Sequence, residues 1–286
     1  MNRSRGISSE LVSLLALAVA VAFAIPVLWM FAASLKPEQA IHEDLGSPRS
    51  FVTFSPTSEH YIAAIRRGDV STTLVNTFVA VALIALGGLC VNAPAAYAFA
   101  RMRFPGRELI FLLLVMTIII PLEVIVIPLF LTVRPTRSLT AVLDERVWTL
   151  GALSIPFMAK AFNIFLLRQQ FLSLPRSLEE AAFLDGAGWW RTFWHVALPN
   201  VRPAIVTVLL LDFVVHWNDF LWPLVVCQRA DTRTVQLGLA NFFTQPPILW
   251  GAVMAYGVLA TIPMLVALVL GQRWIVRSLL TTGLKQ

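Results

Sequence analysis

Apolar residues fill six long runs, at roughly 11–35, 74–100, 109–131, 147–167, 204–227 and 249–270, with polar residues gathered between them. Each run holds about 20 to 27 residues. A helix of that length, rising about 1.5 Å per residue, crosses a hydrocarbon core of about 30 Å. The pattern predicts an all-α, polytopic membrane protein with six transmembrane helices. Residues 36–70 carry prolines and serines that predict irregular structure, ending in a short helix around "SEHYIAAIRR". Two more loops are expected on that side, at about 132–146 and 228–248. On the other side the turns and tails are short. The exception is one polar insert between the fourth and fifth runs, "RSLEEAAFLDGAGWWRTFWHVALP" at 176–199.

The insert has a readable local logic. Pro175 ends the preceding segment, and Ser177-Leu178-Glu179-Glu180 has the capping-box pattern, in which Ser177 and Glu180 satisfy each other's backbone amides. A helix is expected from there to about Leu184, with Gly186 and Gly188 ending it because glycine takes up the left-handed C-cap conformation at little cost. Leu178, Ala181, Ala182 and Asp185 share one face. The two alanines leave that face shallow and open to close approach by another protein. Beyond the glycines, Trp189, Trp190, Phe193, Trp194 and Ala197 form a second apolar stripe, with Arg191 and His195 roughly opposite. Such a stripe is expected at a membrane interface. On these grounds alone the insert is either a docking element or an amphipathic loop with no partner.

Composition agrees with the pattern. The chain is 58% hydrophobic and 13% charged, against about 25% charged for soluble domains. Arg3 and Arg5 precede the first run as they would in a signal peptide. That run is far longer than the usual apolar region of about 7 to 15 residues, so it is taken as a retained span. The net charge of +6 divides by side, and the turn "RMRFPGRE" is densely basic. Its excess places that turn and both termini in the cytoplasm. No basic surface stands apart from the membrane flanks, which argues against a nucleic-acid partner. Cys90 and Cys227 show no CxxC or metal-ligand spacing and read as packing residues, with no metal site.

Seven prolines, Pro26, Pro94, Pro121, Pro128, Pro156, Pro223 and Pro263, lie in or near the runs and predict broken or kinked spans around a central cavity. Ionisable residues at membrane depth are functional suspects; here they are Glu123, Lys160, Asp212, His216 and Asp219. Asp212, His216 and Asp219 follow i, i+4, i+7 spacing on one face. Lys160 and Asp212 lie at matching depths from the inner end of their runs, which predicts an ion pair across spans four and five. That polar face, with Asn218, either meets solute in the translocation path or packs against a partner. Trp217, Asn218, Phe220 and Trp222 either stack on a sugar or join the outer aromatic belt. No Ser/His/Asp or Cys/His arrangement indicates catalysis. The three lysines are followed by Pro37, Ala161 and Gln286, so none belongs to a Walker A motif. ATP must be handled by another polypeptide.

"EEAAFLDGAGWWRTFWHVALP" resembles the EAA signature of permease subunits of bacterial ABC importers, through Glu180, Ala181, Ala182, Gly186, Val196, Leu198 and Pro199. "WNDFLWPLVV", "GQRWIVRSLLTTGLKQ" and "AAYAFARMRFPGRE" resemble patterns of the carbohydrate-uptake group, which includes permeases for maltose and glycerol phosphate. The loop "LTVRPTRSLTAVLDERVW" departs from them, as does Ser278 at a common glycine position. The resemblance implies an N-terminal portion, 1–70, and a core permease domain, 71–286, with a cytoplasmic coupling helix in 176–199 between spans four and five.

It further implies that Glu180, Ala181, Ala182, Asp185, Gly186, Leu198 and Pro199 serve ATPase coupling, with Glu180 offering its carboxylate to a basic residue of the ATPase. Partners would be a second homologous permease, two ATPase subunits holding ATP and magnesium, membrane lipid, and an external solute-binding protein. Asn241, Phe242, Phe243 and Gln245 are the candidate contacts for that last partner. The cargo expected is a carbohydrate, with a glycerol-phosphate ester as the alternative. A proton-coupled secondary transporter would often show inverted internal repeats, which are not found. A membrane-embedded enzyme would need convergent catalytic groups, and only the span-five cluster comes near.

Overall fold

The computed structural model describes the backbone of residues 4–134 and 144–283, with side chains described for 10–134 and 144–274. Most of the loop expected at 132–146, and the side chain of Ser278, therefore lie outside the described residues. All regular structure among the described residues is helical. Three helices are continuous and long and apolar enough to span a membrane: α1 (Ser4–Ser34), α4 (Val70–Arg101) and α13 (Trp250–Gly283). Three further candidates are bent pairs, which bring the number to six when each pair is taken as one crossing.

The bends have local causes. α5 (Arg107–Met116) and its 3-10 continuation to Ile119 meet α6 (Leu122–Val133) at 105°, with Pro121 at the corner. The second pair turns by 50° between α7 (Glu145–Ser154), extended by a 3-10 turn containing Pro156, and α8 (Ala161–Ser173). The third joins the segment Trp189–Asn200 to α11 (Arg202–Trp217) at 78°, with Pro203 in the first turn of α11. Proline lacks an N–H and restricts its predecessor, so it favours these corners. Pro26, Pro94, Pro128 and Pro263 sit inside helices instead. The fifth run also departs from expectation: α11 stops at Trp217, and a separate short helix, α12 (Leu221–Val226), follows.

The chain forms two compact units, residues 1–71 with 238–262, and residues 72–237 with 263–286. In the first, residues 36–68 are more ordered than their composition suggests. They form α2 (Glu38–Glu43), a 3-10 turn at Pro48–Phe51 and α3 (Glu59–Gly68), the last matching the short helix read from the sequence. Lys36 is buried, and its ammonium donates to Asp44 Oδ2 and to the Arg49 carbonyl, both at 2.6 Å. The Glu38 carboxylate accepts from the amides of Trp250 and Gly251, at 2.6 and 3.0 Å. An acidic group there satisfies orphan donors and suits the positive end of the helix.

In the second unit, the core that positions the site is built on small residues of α4. Ala93, Ala96 and Ala100 let Ile164, Leu167 and Phe171 of α8 approach closely, and Phe193, Ala197, Ala204 and Val208 complete the cluster. Small residues at such contacts are how apolar helices pack when lipid is as greasy as the partner. Gly87 and Gly88 serve the same end, since a Cβ on either would press on Met158.

Candidate functional site

The insert contains α9 (Arg176–Leu184) and α10 (Trp189–Thr192). α9 begins two residues earlier than the capping box implies. Pro175 is its N-cap, no side chain caps it, and Ser177 lies inside the first turn. Proline's fixed φ already directs the chain into the helix, so the serine cap is not needed. The C-terminus does follow the glycine signal: Gly186 has φ of +81°. Ala187 N–H donates to Ala182 O at 2.9 Å, and Gly186 N–H to Phe183 O at 3.0 Å. These two bonds make a Schellman motif. Gly188 plays a different part, as the extended N-cap of α10.

The two sides of α9 differ sharply. Leu178, Glu180, Ala181, Leu184 and Asp185 are exposed, Leu184 at 90%. Ala182 is half-buried, and Glu179 is the one buried residue of the helix. Arg101, the last residue of α4, lies with Nε 3.1 Å from Glu179 Oε1 and donates from Nη2 to the Leu174 carbonyl at 2.7 Å. Burial holds the Glu179 carboxyl above the usual carboxylate range, against the opposing pull of Arg101. A cavity of about 1150 Å³ opens beside α9, bordered by Arg103, Arg107, Arg176, Glu180 and Trp189. The expected aromatic stripe divides. Phe193 and Ala197 are buried in the core while Trp189, Trp190 and Trp194 stay exposed. The π-helical turn at Phe193–Ala197 adds a residue to the turn and rotates the stripe.

The second group of candidates converges at the bend between α7 and α8. Lys160 Nζ donates to Asp212 Oδ1 at 2.8 Å, which places the expected ion pair between spans four and five. Asn163 Nδ2 donates to Asp212 Oδ2 at 2.7 Å, and His216 Nε2 lies 3.3 Å from Lys160 Nζ. Asp212 is 2% exposed and the Lys160 side chain 23%. Asn92 of α4 closes the bend: its Nδ2 donates to the Met158 carbonyl at 2.9 Å and its Oδ1 accepts from the Lys160 amide at 3.0 Å. One carboxamide thus satisfies backbone groups on both sides of the break, as a helix broken at membrane depth requires. Asn92 and Asn163 were missed in the sequence. Asn163 lies one turn after Lys160, and Asn92 is an amide beside a glycine pair at membrane depth; both were available signals.

With this geometry in view, the family model described as "Binding-protein-dependent transport system inner membrane component" matches residues 88–280. The chain belongs to this family. It is a multi-pass inner-membrane permease of an ABC importer. The permease is 36% identical over 208 residues to the sn-glycerol-3-phosphate transport system permease protein of Yersinia pestis, covering 72% of this chain and 71% of that one. It is 31% identical over 291 residues to the protein of the same name from Agrobacterium fabrum, covering 99% of each. A crystal structure of a bacterial ABC transporter involved in the import of the acidic polysaccharide alginate matches its fold. That match covers 96% of the permease and 98% of that chain, with a TM-score of 0.77 at 23% identity.

The other candidate positions of the permease fall elsewhere. Asp219 lies just beyond the end of α11, still within electrostatic reach of Lys160, and its Oδ1 accepts weakly from the Trp222 amide at 3.5 Å. Asn218 is exposed and donates to the Val214 carbonyl at 2.8 Å. Glu123 is exposed in the first turn of α6, with no hydrogen bond or ion pair among the described residues. Trp217 and Trp222 are neither a sugar platform nor an outer belt. Both are buried, Trp217 stacked on Phe213 and Trp222 donating to the Ala152 carbonyl at 3.1 Å. Cys90 is exposed rather than packed, and Cys227 is buried. Leu198 and Pro199 are half-buried, Leu198 against the α4 core. Of the loop candidates, Phe242 is buried edge-on to Tyr256 and cannot meet a partner, whereas Phe243 and Gln245 are exposed and Asn241 half-buried.

Proposed function

We propose that this permease forms half of an ATP-driven path for a carbohydrate across the membrane, and that α9 is the element by which a separate ATPase moves it. The carrying observation is the two-sidedness of α9. Its inner side is tied to α4 by Glu179, while the side chains of Glu180, Ala181, Leu184 and Asp185 are exposed, with no hydrogen bond or ion pair among the described residues. A shallow, small-residue face of this kind suits a groove on another protein. The ATPase subunits would bind ATP and magnesium and carry the hydrolysis, so the permease itself needs no catalytic group. A second permease would complete the path, and an external binding protein would deliver solute near Phe243 and Gln245. Both termini and α9 would lie in the cytoplasm. Closure of the ATPases pulls α9 and opens the path outward; hydrolysis resets it. Each state requires its own contacts at this helix, because a ligand shifts an equilibrium only by its differential affinity for the two forms.

A glycerol-phosphate ester is the second reading, favoured by the relatives that match along nearly the whole chain. Against it, the described spans offer one lysine, Lys160, and that charge is already paired with Asp212. Purification through a tag on the permease, in mild detergent, is expected to bring down an ATPase. Uptake of radiolabelled maltose and sn-glycerol 3-phosphate then separates the cargo readings. Glu180→Lys and Gly186→Asp are expected to leave membrane insertion intact and abolish uptake. Wild-type uptake in both variants would refute the docking role of α9.

A further inference from the structure

A helix can act as a handle only if its inner side is fixed to what it moves. For α9 that attachment is narrow. It has nine residues, Pro175 on one side and a glycine turn on the other, and a single buried side chain, Glu179. Phe183 contributes an edge-on contact with Trp189, its own neighbour across the turn. α9 otherwise rests on the following segment, Trp189–Ala197, and the contact with Arg101 is its ion pair to α4. Arg101 is placed to pass on a displacement. It ends α4, its Nη2 holds the carbonyl of Leu174 at the end of α8, and its Nε faces Glu179 in the first turn of α9. One planar guanidinium thus joins two spans and the outward-facing helix, a task that suits Arg better than Lys.

The pair is close without being locked. Arg101 Nε and Glu179 Oε1 are both buried, and neither makes an aligned hydrogen bond. The Tyr97 hydroxyl, one turn earlier on α4, is also buried and faces the Glu179 carboxylate, its nearest hydrogen-bonding neighbour, in poor alignment. Buried polar groups in folded proteins are nearly always satisfied, so a cluster in which Tyr97, Glu179 and Arg101 have only one another as partners, imperfectly aligned, calls for a reason. A joint that changes geometry between two states supplies one, because each state can use hydrogen-bonding capacity left spare in the other.

We propose that Arg101 and Glu179 are positioning residues for transport, the link through which movement of α9 reaches α4 and α8. This rests on the reading of α9 as the ATPase-docking helix, and it assigns the neighbouring carboxylates opposite tasks: Glu180 faces the motor and Glu179 grips the bundle.

The test uses the whole transporter, purified through this chain and reconstituted in liposomes. It measures the ATPase captured, the rate of ATP hydrolysis, and uptake per ATP of whichever of maltose or sn-glycerol 3-phosphate the wild type accumulates. Glu179→Gln and Arg101→Gln are expected to capture the ATPase normally and to hydrolyse ATP within about twofold of wild type. Uptake per ATP is expected to fall about tenfold or more, through uncoupling that a purely structural defect would not show. The charge swap Arg101→Glu with Glu179→Arg is expected to exceed either single swap in uptake per ATP. Wild-type coupling in both glutamine variants would overturn the link, as would a double swap no better than the singles. Loss of the ATPase from the Glu179→Gln complex would assign Glu179 to docking and overturn it too. Failure of the wild-type chain to capture any ATPase would instead sink the docking reading on which the link rests.

Discussion

Replacing Lys160 with methionine leaves Asp212 charged, buried and dependent on a single donor. In the native chain Asp212 is 2% exposed and accepts from Lys160 Nζ at 2.8 Å and Asn163 Nδ2 at 2.7 Å. Removing one partner of a buried ion pair costs about 3–5 kcal/mol, because the remaining charge has lost its compensation. Asp212→Asn should cost less. The Lys160 ammonium keeps His216 at 3.3 Å and its side chain is 23% exposed. The loss is then about 1.5–3 kcal/mol, the net worth of a hydrogen bond to a charged group. The double variant removes both charges and is expected within about 1 kcal/mol of wild type, since neutral replacements of buried pairs are often tolerated. The favourable interaction energy between the two sites should be about 3 kcal/mol or more. Unfolding of the purified chain in mild detergent, for wild type, both single variants and the double, measures it. Additive losses, with the double variant as unstable as the two singles summed, would refute the pairing as a source of stability.

Two other outcomes follow from local geometry. At Gly251 a Cβ would overlap the His60 ring, which is fixed by its 2.6 Å bond to the Lys36 carbonyl; Gly251→Ala should lose about 1–3 kcal/mol by overpacking, read by thermal unfolding, and His60→Ala in the same chain should recover part of it. The second outcome concerns pH. Burial raises the folded-state pKa of Glu179 above its unfolded value, so the folded chain binds this proton more tightly. The resulting contribution is fully present below the unfolded pKa and is lost as pH rises through the folded one. Arg101→Gln removes the opposing pull and raises that folded pKa further. Acidification from neutral pH toward the ordinary carboxylate range of about 4.3 should therefore stabilise Arg101→Gln more than wild type. An equal pH response in the two proteins would refute it.

Much of the molecule was written in its residue order. Long apolar runs give spans because a helix buries its own backbone bonds, so length and hydropathy suffice to mark them. The αL turn at Gly186 is equally local, because glycine lacks the Cβ that strains that conformation. Even the Lys160–Asp212 pair was foreseeable, since helical rise converts residue count into depth and two buried opposite charges at one depth must find each other or pay heavily.

What sequence left undecided was direction. Whether Glu179 or Glu180 faces inward depends on where the end of α4 presents a guanidinium, and Arg101 is far away along the chain. Trp217 and Trp222 looked like surface aromatics because hydropathy cannot tell lipid-facing from protein-facing rings when both surroundings are apolar. Helical spacing could not say how Asp219 is held, because α11 ends at Trp217 and backbone amides beyond that end, with Lys160, surround the carboxylate. Bends acted likewise: of the seven prolines visible in the runs, Pro121 and Pro156 stand at corners, whereas Pro26, Pro94, Pro128 and Pro263 lie inside helices. Sequence alone determined the spans, the turn chemistry and the charges that need partners. Tertiary structure decided which side of each helix meets protein, because that choice rests on contacts between segments with no local signature.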